Sequence, residues 1–116
     1  MRLIDSFTPI EKANQHNLSV TADTDILSAT IAPGGGRDCV LFRIQVCCDT
    51  AGVFSARITK SATTVSVQFN SGANLTANAG YIFDMLVHAG DTVQFRHSAT
   101  GIMLVLRVQE VGAATH

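Results

Sequence analysis

Charge, large aromatic side chains and long apolar runs are scarce in this sequence. Charged residues make up 15% of the 116 residues, there is no tryptophan, and Tyr81 is the single tyrosine. Since charged residues usually reach about 25% of a globular protein, we expect part of this surface to be buried in an oligomer or a larger particle. The formal net charge of −1 also argues against nucleic acid or an anionic membrane as a partner.

The sequence shows neither an export signal nor a membrane span. Residues 1–17 have no apolar core of signal-peptide length, and no other apolar run approaches the roughly 20 residues of a spanning helix. We therefore expect a soluble protein that is not exported. The length of 116 residues suits one domain with a single hydrophobic core.

The cysteines are poorly placed for disulfides or metal. Cys47 and Cys48 are adjacent, which strains any bridge between them, and Cys39 makes the set odd in number. On a strand, Cys47 and Cys48 point to opposite faces, so the pair cannot hold one metal ion. We expect all three to be small packing residues in a reducing compartment.

The histidines do not form a convincing metal site. His16 and His116 lie in segments that we expect to be flexible, and His88 and His97 fall on the two strands of a predicted hairpin. In that register the two imidazoles are about 20 Å apart, whereas a metal site needs three or four converging ligands. A histidine beside its symmetry mates on a trimer axis is the alternative, and we predict no cofactor.

Motifs for nucleophilic catalysis and phosphate binding are missing. No serine lies in a Gly-x-Ser-x-Gly elbow, and neither a helix nor a GK[ST] sequence follows the glycines at 34–36. Glutamate occurs only at Glu11 and Glu110, which is too few for a cupin-like enzyme that holds a metal with histidine and glutamate. These patterns predict a protein that is not an enzyme.

Two aspartates lie in the apolar closing part of the chain. Asp91 follows Gly90 in a predicted turn, where aspartate ordinarily binds local backbone amides. Asp84 lies among apolar residues, and if it is buried it needs a partner such as Arg96 or Arg107. We interpret Asp84 as half of an ion pair at a subunit contact rather than as a general acid or base.

Alternation of apolar and polar residues predicts an all-β protein. Strands are predicted at 18–22, 26–32, 39–48, 53–60 and 63–69, with three closing strands within 81–111. The partner of the strand at 39–48 is expected after the turn at 49–52. About eight strands at this spacing favour an antiparallel two-sheet sandwich of jelly-roll type. The predicted organisation is an arm or irregular lead-in at 1–17, the sandwich at 18–111 and a flexible tail at 112–116.

The last predicted strand is apolar on both faces. Strict alternation places Leu104 and Leu106 on one face and Met103 and Val105 on the other. One face can cover the protein's own core, and the other needs a second cover. In a chain of this length, another subunit can supply that cover.

The closing strands resemble those of a known jelly-roll family. An apolar strand, a Gly-Asp turn, a valine-rich strand and a long apolar final strand occupy 83–87, 90–91, 93–95 and 102–108. This succession resembles the closing strands of the tumour-necrosis-factor and complement-head jelly rolls. In overall character the chain is also similar to small jelly-roll proteins of virus particles, such as capsid decoration or cement proteins of tailed phages and minor capsid proteins. That similarity implies a homotrimer that binds a capsid lattice.

Three sets of residues carry these expectations. The first set, at a subunit contact, consists of Asp84, Leu86, Met103, Val105 and Arg107. The second set, on the amino-terminal arm and in contact with a neighbour or the lattice, consists of Leu3, Ile4 and Phe7. The third set, in the core, consists of Val40, Phe42, Phe54, Ile58, Val67, Phe83, Phe95, Leu104 and Leu106. A register error of one residue would exchange the two faces of a strand.

The predicted function is structural. We expect a trimeric protein of the virion, made in the host cytoplasm, that decorates or stabilises the shell by binding the major capsid protein or another virion protein. The alternative is a jelly-roll binding module that recognises a carbohydrate or a receptor, for example on a phage fibre or tail. Such a module calls for exposed aromatic residues or a calcium loop.

Overall fold

The alternating segments form two antiparallel sheets that pack against each other, as predicted. The computed structural model describes residues 2–3, 8–34 and 37–115. Its strands are β1 (Arg2–Leu3), β2 (Ile10–Val20), β3 (Cys39–Cys48), β4 (Phe54–Lys60), β5 (Thr63–Gln68), β6 (Tyr81–His88), β7 (Thr92–His97) and β8 (Gly101–Thr115). In these residues the only helical element is a 3-10 turn at Asn70–Gly72, so the all-β prediction is confirmed.

The strand order is that of a jelly roll. In the larger sheet, β8 pairs with β3 on one side and with both β1 and β2 on the other, while β6 pairs with the far side of β3. The smaller sheet has the order β5-β4-β7, and Ile31 extends it by a single bridge to Val93 of β7. The chain therefore crosses between the sheets at most of its connections, as a double Greek key does.

Two predicted strand neighbours are wrong. Instead of pairing with the strand after residues 49–52, β3 lies between β6 and β8, and β4 pairs with β5 and β7. The predicted hairpin of His88 and His97 is also absent, because β6 and β7 belong to different sheets. Alternation indicates which face of a strand is buried, but it does not indicate which strand lies beside it.

Both predicted ends of the sandwich need correction. Residues 10–17, most of β2, fall within the predicted lead-in at 1–17, yet they pair with β8. Most of its side chains are exposed, because β2 lies at a sheet edge, where polar residues are tolerated. At the other end, β8 continues through residues 112–115 and pairs there with β1 and β3, so the predicted flexible tail is a strand as far as the structure describes it.

The predicted strand at 26–32 is largely irregular. At its two ends, Ile26 N donates to Phe95 O of β7 at 2.9 Å, and Ile31 exchanges backbone hydrogen bonds with Val93 of β7 at N–O distances of 3.0 and 2.7 Å. The buried Gln94 side chain holds the preceding residues, since its Oε1 accepts from Leu27 N and its Nε2 donates to Leu27 O, both at 2.9 Å. One side-chain amide thus replaces part of a sheet ladder and keeps this segment against the smaller sheet.

A series of stacked aromatic rings joins the two sheets. Phe95 and Phe54 stack in the smaller sheet, Phe54 stacks on Phe69, and Phe69 stacks on Phe83 of the larger sheet at a centroid distance of 4.8 Å. Tyr81 continues the series beside Phe83. Offset stacks of this kind add to the energy of apolar burial, so the series fixes the larger sheet against the smaller one.

Five of the predicted core residues are buried, and four are not fully so. The residues that confirm the prediction are Val40, Phe42, Phe54, Phe95 and Leu106. Ile58 and Phe83 are half-buried against the core, Leu104 is also half-buried, and Val67 is 36% exposed. The partly exposed residues of β5 and β6 belong to two edge strands, where the sheets do not fully cover each other.

A β-bulge reverses the predicted facing of Met103. Cys47 lies opposite Val105 and Cys48 lies opposite Met103, so Leu104 is an extra residue in β8. Alternation resumes one residue out of step, and Met103 enters the core, where it is fully buried. The expectation that Met103 contacts another subunit is therefore corrected, whereas Val105 keeps its place on the outside.

This bulge predicts a difference between two truncations. We expect Met103→Ala to lower the free energy of unfolding by about 2–5 kcal/mol, because it leaves a cavity in the core. Val105→Ala, which removes carbons from the half-buried outer side, should cost about 1 kcal/mol or less. Urea unfolding of both variants measures the difference, and equal losses would contradict the bulged register.

Candidate functional site: the outer face of the larger sheet

Three strands of the larger sheet, with β2 at their edge, present a broad surface that faces away from the core. We name it the outer face. Register places Val105, Arg107 and Gln109 of β8 beside Cys47, Gln45 and Arg43 of β3. Asp84, Ile82 and Leu86 of β6 complete the face next to Arg43, Gln45 and Leu41 of β3. These residues alternate with core residues such as Val46 and Leu106, whose side chains are buried.

Apolar side chains occupy both ends of the outer face. Ile82 is 63% exposed and Leu86 is 56% exposed. Near Ile82, a shallow groove of about 440 Å³ is lined by Gln45, Val46, Cys47, Gly80, Tyr81, Ile82 and Val105. Single exposed aliphatic side chains are common, but Ile82 and Leu86 expose apolar area on the same sheet face.

Two ion pairs also lie on the outer face. Arg43 donates to both carboxylate oxygens of Asp84, at 2.9 and 3.0 Å. Arg107 donates to the Glu11 carboxylate, with a shortest distance of 2.9 Å, and Gln109 donates to the same carboxylate at 3.1 Å. Hydrogen bonds from the arginines lower the pKa of Asp84 and of Glu11 below their usual values. The charges of the face are therefore paired within the subunit.

The structure brings four of the five predicted contact residues together. Asp84, Leu86, Val105 and Arg107 all lie on the outer face, while Met103 lies in the core. These four residues therefore share one surface, but their positions alone do not show that another subunit binds there.

The predicted partners of Asp84 need correction. Arg96 pairs with Asp25 at 2.8 Å, and Arg107 pairs with Glu11 at 2.9 Å. Asp84 binds Arg43 because β3 and β6 place the two residues directly opposite each other. This partner was missed because the pairing of β3 with β6 has no local sequence signal.

The predicted arm is described only in part. Leu3 belongs to β1 and its backbone pairs opposite Ala114 of β8. Ile4 and Phe7 lie outside the described residues. Contact of Leu3, Ile4 and Phe7 with a neighbour or a lattice therefore remains a prediction.

Two buried polar residues, Glu110 and His97, were not singled out as structural residues from the sequence. Glu110 is fully buried and its Oε1 accepts from Gly34 N at 2.6 Å, which fixes the start of the glycine loop. His97 is also fully buried, and its Nδ1 lies 3.0 Å from Ala99 O and 3.2 Å from Ala99 N. Both side chains bind main-chain groups of loops, so their geometry indicates a structural role.

The three cysteines are free thiols. Cys39 and Cys48 are buried, and burial raises the pKa of the Cys48 thiol. Cys47 is half-buried at the groove of the outer face. Within residues 2–3, 8–34 and 37–115, no group of three or more His, Cys, Asp or Glu side chains converges as a metal site would require.

Comparison with known proteins leaves the family open. No protein-family model matches the sequence, and no curated protein matches it. Among the described residues, no helix has the length and apolarity needed to cross a membrane. The arguments for function therefore rest on the fold and on the outer face.

The Arg43–Asp84 pair predicts a pH-dependent loss of stability. We expect Asp84→Asn to lower the free energy of unfolding by less than about 1 kcal/mol at neutral pH, since the pair is partly exposed and screened by water. Because the folded pKa of Asp84 is lowered, its contribution is present above the unfolded value of about 3.9. The contribution disappears as the pH falls through the lower folded pKa.

Thermal unfolding of wild type and Asp84→Asn between about pH 2.5 and 7 tests this sign. The difference in Tm between wild type and Asp84→Asn should be constant near neutral pH and should disappear in acid. Arg43→Gln should show the same neutral-pH loss, because it breaks the same pair. A difference in Tm between wild type and Asp84→Asn that grows in acid would contradict a lowered pKa of Asp84 in the folded protein.

Proposed function

We propose that this protein is a non-enzymatic structural subunit of a virus particle. In this proposal it assembles as a trimer through the outer face and attaches to a capsid lattice that it decorates or stabilises. The virion partner is the major capsid protein or another protein of the shell. The observation that carries the proposal is the outer face, where exposed aliphatic residues flank internally paired charges on a jelly roll.

The chemistry of the outer face suits burial against protein. Ile82 and Leu86 provide apolar area, and burial of such area is the main driving force of association. Arg43 and Asp84 already satisfy each other, so a partner does not have to neutralise an isolated charge. A buried pair still costs desolvation energy, and it restricts which surface of a neighbour fits.

A closed ring explains how one face can serve a trimer. In a heterologous contact, the outer face of one subunit binds a different surface of the next, and three such contacts close the ring. A standard specific interface buries about 800 Å² per partner. The resemblance of the closing strands to trimeric jelly rolls and the small share of charged residues, 15%, both favour this assembly.

The groove beside Ile82 supports a second candidate function. Its volume of about 440 Å³ lies in the range of small-ligand sites. Gln45 of the outer face lines this groove, and its side-chain amide is a group that can contact a sugar. A jelly-roll module that recognises a carbohydrate or a receptor, for example on a phage fibre or tail, is therefore the alternative.

Light scattering coupled to size exclusion tests the assembly. We expect the wild-type protein to have three times the chain mass of 12.3 kDa. At concentrations below about 10 μM, the double variant Ile82→Asp and Leu86→Asp should be a monomer, because it places charge in the contact. Ser28→Asp with Ala29→Asp is the matched control, since it adds the same two charges at exposed residues beside β7, on the opposite side of the smaller sheet from β5.

The outcomes separate the candidates. A wild-type monomer at every concentration, or a trimer that survives the double variant, would overturn the proposed use of the outer face. Co-sedimentation of the trimer with tailed-phage capsids supports the virion role, with Phe7→Ser as a variant that should weaken binding. Binding to a glycan array without capsid binding supports the recognition module instead.

A further inference from the structure

The edge strand β5 has an unpaired side. It pairs with β4 and, within the described residues, with no other strand. All six of its residues are exposed. An open strand edge presents unpaired backbone groups to any strand that approaches it.

The register identifies which backbone groups face outwards. Phe69 N donates to Phe54 O at 3.0 Å, one position beyond the pair of Ser55 and Gln68. Since hydrogen-bonding direction alternates along an antiparallel strand, Val65 and Val67 direct their backbone groups towards β4. Thr64, Ser66 and Gln68 direct theirs towards solvent.

The valines of β5 face inwards but are not covered. Val67 lies opposite the fully buried Ala56, and Val65 lies opposite the half-buried Ile58. Their side chains therefore point to the core side of the smaller sheet, yet Val65 is 56% exposed and Val67 is 36% exposed. The sandwich is open along this edge, so an added strand would extend the sheet and also cover apolar area.

Charge does not protect this edge. The sequence of β5, TTVSVQ, contains no charged residue and no proline, which are the usual devices against strand addition. At the two edges of the larger sheet, β2 and β6 differ from β5, because β2 carries Glu11 and Lys12 and β6 carries Asp84. The edge of β5 therefore offers no charge repulsion to an approaching neutral strand.

We propose that a second copy of this chain adds its own β5 to this edge, antiparallel and across a two-fold axis at Ser66. The two smaller sheets then form one continuous sheet. In this register Ser66 pairs with its mate, and Thr64 pairs with Gln68 of the other copy. All outward backbone groups of the three residues are used, with two hydrogen bonds in each pair.

A second copy fits because the edge is complementary to itself. The two-fold axis places Val65 next to Val67 of the other copy on the inner side, in a non-hydrogen-bonded pair where side chains approach closely. The hydroxyl and amide side chains meet on the opposite side. No like charges come together, since β5 has none.

The size of this contact makes it weak on its own. A strand of six residues is about 20 Å long, so it buries less than the roughly 800 Å² per partner of a stable interface. If the proposed trimer forms, each particle presents this edge three times, and linked contacts gain affinity through effective concentration. This last step rests on the proposed function, whereas the edge contact itself does not.

Sedimentation velocity on the Ile82→Asp and Leu86→Asp background isolates the edge from the outer face. We expect a reversible dimer with a dissociation constant between about 10 μM and 1 mM, which is the range suited to a small contact. Ser66→Pro removes an outward N–H without removing a bond to β4, and proline is tolerated at such an edge position. It should weaken dimerisation about tenfold or more, while the matched Ser66→Ala should stay within about twofold.

Hydrogen exchange locates the contact independently. The amides of Thr64, Ser66 and Gln68 should exchange more slowly as concentration rises, while those of Val65 and Val67 are already protected by β4. Circular dichroism verifies that Ser66→Pro is folded. If it is not, Val65→Lys with Val67→Lys replaces it and should also prevent dimerisation, through charge repulsion.

Several results would overturn this contact. One is that the Ile82→Asp and Leu86→Asp variant remains monomeric at 1 mM, with no slowing of hydrogen exchange in β5. Another is that a folded Ser66→Pro variant dimerises as strongly as its parent. A third is that hydrogen exchange slows only in β6. Each result can occur whether or not the wild-type chain forms a trimer. Failure of the edge contact is therefore distinguishable from failure of the proposed assembly.

Discussion

The pairing of β8 on both of its edges is the constraint on which the fold depends. This strand of 15 residues pairs with β2 and β1 on one side and β3 on the other. Two shifts in its register against β3 direct Met103 and Ala113 into the core, one residue out of step with Leu106 and Glu110 between them. Because the shifts leave Val105 and Arg107 outside, the same strand supplies both the core and the centre of the outer face.

Alternation of apolar and polar residues was sufficient to predict which face of a regular strand is buried. It was insufficient at bulges, at exposed edge strands and for the pairing of strands. It placed Val40 and Phe42 of β3 correctly in the core. It failed at Leu104, where one extra residue changes the facing of Met103 without any local signal. It also missed residues 10–17 of β2, because the residues of an exposed edge strand are mostly polar. It could not predict the pair of Asp84 and Arg43, since those residues meet only through tertiary register.

The two proposed association surfaces differ in physical character. On the outer face, contact would depend on side chains, with Ile82 and Leu86 providing apolar area and the ion pairs restricting orientation. Along β5, contact would depend on the backbone, because the strand carries only short neutral side chains and Gln68. A substitution can therefore affect one surface and leave the other unchanged, which allows assembly in stages of different strength.

The jelly-roll order also determines when the larger sheet can form during synthesis. The partner of β2 is β8, so β2 leaves the ribosome long before the strand that completes its hydrogen bonds. Only β4 and β5 are both consecutive strands and paired neighbours in the described chain. Pairing across such sequence distances is slow, and incomplete sheets expose apolar edges. In a nascent chain of this protein, the edge of β2 therefore stays unpaired until β8 has emerged.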